Sequence, residues 1–194
     1  MTSDTSTSAP SATTALPLPA GSWDLDPFHS AVNFTIRHLG ISKVRGRFAE
    51  VTAGLVVGES AETSAVTATI ELASIDTGNK DRDAHVRAPD LLDVERRPTM
   101  TFRSTRVHGK EDEWTMEGEL AIGDVTKPVS LAVEFGGLQA FPGSPRRHAG
   151  FEATGEIRRS DYGLDFGAGL LGDVVKIQLD MQFLEPEAAA PTES

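Results

Sequence analysis

WDLDPFHSAVNFTIRHLGISKVRGRFAEVTAGL, residues 23–55, is the stretch on which the reading of the whole chain turns. Val32, Phe34 and Ile36 alternate with Asn33, Thr35 and Arg37, and further on Gly46 and Phe48 alternate with Arg45 and Arg47. A period of two puts successive side chains on opposite faces, so each run predicts a strand with one buried side. Between them, His38–Lys43 contains Gly40 and Ser42, enough to end both strands and let the chain reverse. The unit is an antiparallel pair.

The same alternation continues C-terminally. Val66, Ala68, Ile70 and Leu72 share one side of a third strand over Ala65–Ile75. The period then changes at Asn79, a good helix N-cap, with Asp81 and Asp83 where the helix dipole favours anions and Pro89 as a stop. A short helix over Lys80–Ala88 is expected, followed by a turn presenting Leu91, Leu92 and Val94 like a lid over one end of the sheet. After Pro98 only strands are predicted. Met100 and Phe102 point inward, as do Trp114, Met116, Leu120 and Ile122. Val129, Leu131, Val133 and Phe135 form one side of Lys127–Phe135, which a Gly/Pro-rich connection, Gly136–Pro145, is expected to follow. Ala149–Arg158 and Val174–Leu184 complete the series.

Roughly eight antiparallel strands with one apolar face fit either a two-sheet sandwich or a closed up-and-down barrel, and periodicity does not choose between them. An eight-stranded barrel has an interior that holds one small ligand or is filled by side chains. Ala68, Gly118, Ala153 and Gly155 are small inward positions, expected to leave room for a guest.

The chain has 194 residues, enough for one substantial core and short for two. Residues 1–21 and 186–194 are rich in Ser, Thr, Ala, Pro and Glu, so disordered tails are expected on either side of a single domain over 22–185. A net charge of −11 repels phosphate backbones and anionic lipid headgroups within the Debye length, making nucleic acid a poor partner. The absence of cysteine excludes disulfides and thiolate chemistry. The N-terminus lacks the basic and apolar regions of a secretory signal, and no run approaches a membrane span. A cytoplasmic location is the expectation.

Several segments, in order, resemble the YceI-like family: the opening WDLDPFHSAVNF with HLG and RGRF, then SIDTGNKDRDAHV from Ser74, PTMTFRS from Pro98, GELAIGDVTKPV from Gly118, GFEAT from Gly150 and IRRSDYGL from Ile157. Any one of these occurs by chance, whereas the ordered set spans nearly everything but the tails. The resemblance implies an all-β, lipocalin-like eight-stranded antiparallel β-barrel with a short helical insertion after the third strand. It also implies non-enzymatic binding, transport or storage of a long isoprenoid lipid, an isoprenoid quinone or a polyprenyl lipid, with no other cofactor. The pattern brings no catalytic residue with it. His29, His38, Arg82, His85 and Arg159 match its positions and are expected as structural or rim groups.

The chain also carries side chains suited to other chemistry. His29 and Ser30 near Asp24 and Asp26 suggest a hydrolase, but neighbours on a strand point apart, and no GxSxG is present. Asp81, Asp83 and His85 are ligand-type side chains, to which His38, His108 and His148 add others. Yet Asp83 leaves the face shared by Asp81 and His85, and capping with an Asp83–Arg87 pair explains the same residues, so no metal is expected. The glycines of YGLDFGAGLLGD lack the lysine and the strand–loop–helix setting of a phosphate loop. Tyr162, Leu164, Phe166, Leu170 and Leu171 make that segment apolar enough to be core, a homodimer contact or the entrance for a greasy ligand. Among inward residues, Phe34, Ile36, Phe48, Leu92, Phe102, Phe151 and Phe166 are expected to touch the ligand. Two alternatives stand beside binding: an enzyme acting on a small hydrophobic or lipid substrate through His29 or His85, and a stress-linked interaction protein whose core is filled by its own side chains.

Overall fold

A computed structural model describes residues 15–187. Eleven strands form one antiparallel sheet: β1 (Gly21–Leu25), β2 (Ala31–His38), β3 (Ser42–Phe48), β4 (Val51–Val57), β5 (Ala65–Glu71), β6 (Ile75–Asp76), β7 (Thr99–Lys110), β8 (Glu113–Ile122), β9 (Val125–Ala140), β10 (Arg147–Arg158) and β11 (Leu171–Leu184). The sheet closes because both β1 and β2 pair with β11. Likewise β4 pairs with β1 while β3 pairs with β2, and β5 pairs with β4 while β6 pairs with β3. The six short strands are therefore three staves, each broken once. With β7 to β11 they make a closed eight-stave antiparallel barrel, each stave beside its neighbour in sequence.

The breaks have named causes and sit on adjacent staves. Between β1 and β2, Asp26 Oδ1 accepts from the Phe28 amide at 2.9 Å, a side-chain-closed turn before which Pro27 removes a donor. The ladder to β11 is carried across this gap by Ser30, whose Oγ accepts from Gln182 N at 2.9 Å, and by Asp26 N, which donates to Gln182 O at 2.8 Å. Between β3 and β4, the Glu50 amide donates to Ser74 Oγ at 3.0 Å, and Ser74 belongs to the turn Leu72–Ser74 that separates β5 from β6. Short polar side chains thus replace lost ladder bonds at each break.

The helix α1 (Lys80–Arg87) follows the third stave and starts as its residues dictate, with Asn79 Oδ1 accepting from Arg82 N at 2.9 Å. Asp83 and Arg87 do not pair. Asp83 is buried and accepts from Thr77 N and Thr77 Oγ1, while Arg87 donates to the Ala73 and Ile75 carbonyls, tying the helix to the third stave. No helix among the described residues is long and apolar enough to cross a membrane.

Three further expectations are corrected. The Gly136–Pro145 connection is much shorter, because β9 runs on to Ala140; Gly137 lies opposite Gly150, beside a bulge where the register shifts at Gly150/Phe151. Residues 1–14 and 188–194 of the expected tails lie outside the described residues. Within the rest of the N-terminal tail, however, Leu18 is buried and Leu16 packs with it against Trp23, Leu55 and Phe183. Trp23, only 1% exposed, donates its indole N–H to the Pro19 carbonyl at 3.1 Å. The packed chain therefore begins no later than Leu16, six residues before position 22. Finally, Thr35 lies on the outer face of β2 yet is buried, with its hydroxyl 3.4 Å from Gln178 Oε1.

Asp26 gives the barrel wall a pH dependence. Burial alone would raise its carboxyl, but the hydrogen bond to His29 Nδ1 at 2.8 Å, the Phe28 amide and the charges of His29 and His148 hold it below 3.8. A depressed carboxylate stabilises the fold above its unfolded pKa and loses that contribution as pH falls through the folded value. Thermal midpoints are expected to drop on acidification below about pH 4, and Asp26→Asn to remove part of that drop while costing about 1–3 kcal/mol at neutral pH. An unchanged acid slope in the variant would assign the dependence to other groups.

Candidate ligand-binding tunnel

The inward side chains do not fill the barrel. They surround an apolar cavity of about 750 Å³, within the ~300–1,000 Å³ range of pockets that bury small ligands. Its wall comes from every stave, including Val66, Ala68, Met116, Val133, Ala153 and Leu179. Phe34, Ile36, Phe48, Leu92, Phe102, Phe151 and Phe166 all line this cavity.

The small inward positions divide into two kinds. Ala68 and Ala153 do widen the cavity. Gly118 and Gly155 do not: a Cβ on Gly118 would lie 2.4 Å from the Phe102 ring, and one on Gly155 would lie 2.6 Å from Leu131 Cδ2. Gly46 is covered in the same way by Phe34. Large residues on neighbouring staves lie over these glycines, so their space belongs to the wall.

One end is sealed and the other open. Leu16, Pro17 and Leu18 close the end where Trp23, Leu55 and Phe183 pack. The opposite end is bounded by α1, the Leu91–Leu92 turn, the β2–β3 hairpin and the segment between β10 and β11; Leu91, Leu92 and Leu170 line it beside His38, Arg82, His85 and Asp90. This polar rim fits the single orienting contact that an apolar chain with a polar head requires.

Arg159 organises the rim. Buried at 6% exposure, it donates to the carbonyls of Gly172 at 2.9 Å, Phe166 at 2.6 Å, Leu171 at 3.3 Å and Leu164, and its guanidinium lies 5.0 Å from the Phe166 ring centroid. The glycine-rich segment is thus a folded loop wrapped around one arginine. Tyr162 is buried beneath it with its hydroxyl unpaired, and burial with the Asp161 charge pushes its pKa up to about 12, keeping it neutral.

The side chains suited to other chemistry are dispersed. His29 is bonded to Asp26 and Ser30 to β11, away from the cavity wall, so the two do not meet as base and nucleophile. His148 joins the Asp26 group, its Nδ1 3.7 Å from Asp26 Oδ2. His85 sits at the mouth with Nε2 3.6 Å from Asp90 Oδ2. Among the described residues no three His, Cys, Asp or Glu side chains gather as a metal site. Leu16, Leu18, Ala53 and Leu55 line the cavity but went unread in the sequence, the first two because they stand in a Ser/Pro-rich stretch.

The YceI-like domain model matches residues 23–183. The chain belongs to the YceI-like family. Protein YceI of Salmonella heidelberg is 34% identical over 160 residues, covering 82% of this chain and 83% of that protein. A UPF0312 protein of Pseudomonas aeruginosa is 32% identical over the same shares. Among solved structures, Campylobacter jejuni YceI protein matches with TM-score 0.69 at 29% identity, covering 78% of this chain and 91% of that one. A polyisoprenoid binding domain from Saccharophagus degradans, implicated in plant cell wall breakdown, matches with TM-score 0.65 at 18% identity over 84% and 98% of the two chains. At that identity the likeness carries the YceI-like barrel and no more.

Proposed function

We propose that this YceI-like protein is a non-enzymatic carrier that binds one long apolar chain, an isoprenoid quinone or polyprenyl lipid, with its tail in the barrel and its head at the polar rim. The observation that carries this reading is the continuous apolar cavity, sealed by Leu16–Leu18 and open beside His38, Arg82 and His85. A compact drug-like ligand does not need so long an apolar wall, and the charged and imidazole groups of the lining, His38, Arg82, His85, Asp90 and Arg159, stand at the open end. The description of the Saccharophagus degradans domain as polyisoprenoid binding supports the same class of ligand.

Mass spectrometry of an organic extract from purified protein is expected to show a stoichiometric prenyl lipid. Extracts with no lipid, together with failure to bind added prenols or quinones, would refute the proposal. Turnover of a lipid that is lost on replacing His85 would favour an enzyme instead.

A further inference from the structure

We infer that the rim around the tunnel mouth is a docking surface for an anionic lipid bilayer, from which the apolar ligand enters without crossing water; this rests on the binding function proposed above. Leu39, Ile41 and Leu170 are 49%, 84% and 56% exposed and lie at this one end. They form a single patch, because the Leu39 amide of the β2–β3 hairpin donates to the Leu170 carbonyl at 2.6 Å. The patch is continuous with the opening, since Ile36, His38 and Leu170 line the cavity directly beside it.

Leu39 is also in an unfavourable backbone state. With φ of 53° at Leu39 and 70° at Gly40, and Ile41 N donating to His38 O, the tip is a turn in which both central residues have positive φ. Asn-Gly is the pairing that suits such a turn. A leucine there is strained and exposed, losing on both counts in water and gaining only where apolar surface covers it.

Charge selects the kind of surface. The chain carries −11, yet no acidic residue lies between Asp26 and Glu50, where Arg37, Lys43, Arg45 and Arg47 stand. Arg47 pairs with Asp76 at 3.2 Å; Arg37, Lys43 and Arg45 are exposed and make no ion pair among the described residues. The sealed end is acidic, with Glu59, Glu62, Glu111 and Asp112 in its loops and Glu113 at the start of β8. Those charges are separated from the mouth by the length of the staves, and β9 alone has 16 residues, about 50 Å of strand. Screening over ~8 Å at physiological salt removes them from the balance at a surface touching the mouth. At the mouth itself Asp90 faces His85 at 3.6 Å, Asp173 pairs with Arg158 at 3.2 Å, and Asp161 and Asp165 stand in the β10–β11 segment, so the surplus of positive charge is confined to the hairpin. The bilayer therefore meets a basic hairpin with two apolar side chains at its tip.

The test is flotation of the full chain with vesicles of phosphatidylcholine and phosphatidylglycerol in equal parts, and of phosphatidylcholine alone. Neither Leu39 nor Ile41 lines the cavity, and Asn suits the backbone at position 39, so Leu39→Asn/Ile41→Ser is expected to stay folded. Its partitioning onto anionic vesicles should fall about tenfold or more. Arg37→Glu/Lys43→Glu should lose a similar factor on anionic vesicles and little on neutral ones. Binding of a short-tailed quinone from solution should be equal in wild type and the Leu39/Ile41 variant, so loss of ligand binding in both would count against the function and not against docking. Wild type that fails to float, or floats no better than the Leu39/Ile41 variant, overturns the inference. So does a wild-type dimer that dissociates in that variant while neither floats, which would make the patch a contact between copies.

Discussion

Affinity for prenols or quinones of increasing tail length is expected to rise by roughly tenfold per isoprene unit and then stop abruptly. The estimate takes about 0.3 kcal/mol per heavy atom for a ligand of this size, hence about 1.5 kcal/mol per five-carbon unit. The stop follows from the seal, because Leu16, Pro17 and Leu18 end the cavity. Ala153→Phe should move the stop to a shorter tail without unfolding the barrel, since Ala153 borders open cavity between the Val133 and Leu179 positions on its two neighbouring staves. Phe102→Asp should abolish binding outright or unfold the protein. Phe102 is buried and also covers Gly118, so the variant both exposes that gap and buries a carboxylate without a partner, a cost of several kcal/mol. Thr101→Asp, one residue away on the exposed outer face, should do neither. Isothermal titration across the tail series reads all of these, and affinity independent of tail length would mean that the cavity does not hold the tail.

Deleting residues 1–20 is expected to lower the melting midpoint by about 10 °C and to remove the stop in the tail series. The deletion takes away Leu18, buried against Trp23 and Phe183, and the Pro19 carbonyl that accepts the Trp23 indole N–H. Losing one buried leucine and leaving one indole donor unpaired costs about 3–5 kcal/mol together. For a domain of this size each kcal/mol moves the midpoint by roughly 2–4 °C. Deleting residues 1–14 is the control, and an equal drop there would mean that Leu16–Pro19 are not its source. A midpoint unchanged by the longer deletion would show that the seal adds nothing to stability.

The parts of the barrel that could be read in advance are those where large apolar residues alternate without interruption. From Thr99 onward, Phe102, Leu120, Leu131 and Ile177 marked their staves correctly, and Asn79 marked the helix start. Two short strands went unread for reasons of composition. In β1, GSWDL offers only two large inward side chains, Trp23 and Leu25, too few to show a period, and in β4 Ala53 and Gly54 dilute the alternation that Leu55 and Val57 carry. Gly136 and Gly137 looked like a turn because glycine pairs usually punctuate one. Here they stay within β9, with Gly150 of β10 opposite Gly137. Of the seven expected ligand residues, Phe34, Ile36, Phe48, Phe102 and Phe151 line the cavity because strand period turns them inward, whereas Leu92 and Phe166 line it from a turn and a loop that period does not place. Whether a glycine leaves space does not follow from period: Gly118 is directly opposite Ser104, and the ring that covers it comes diagonally from Phe102.

Both ends of the described chain leave the barrel at its sealed end. Gly21 lies so close to Pro186 that a Cβ on it would be 2.6 Å from the proline Cγ, and Arg146 reaches from the neighbouring turn to Asp24 Oδ2 at 2.6 Å and the Leu184 carbonyl at 3.2 Å. A fusion partner, affinity tag or surface-immobilisation linker joined directly at residue 15 or residue 187 therefore starts from the end opposite the opening. Proteins attached there can be tethered in either order without crowding the entrance, and a short peptide joining residues 15 and 187 would yield a circular permutant whose new ends could be placed at the exposed Phe141–Gly143 turn.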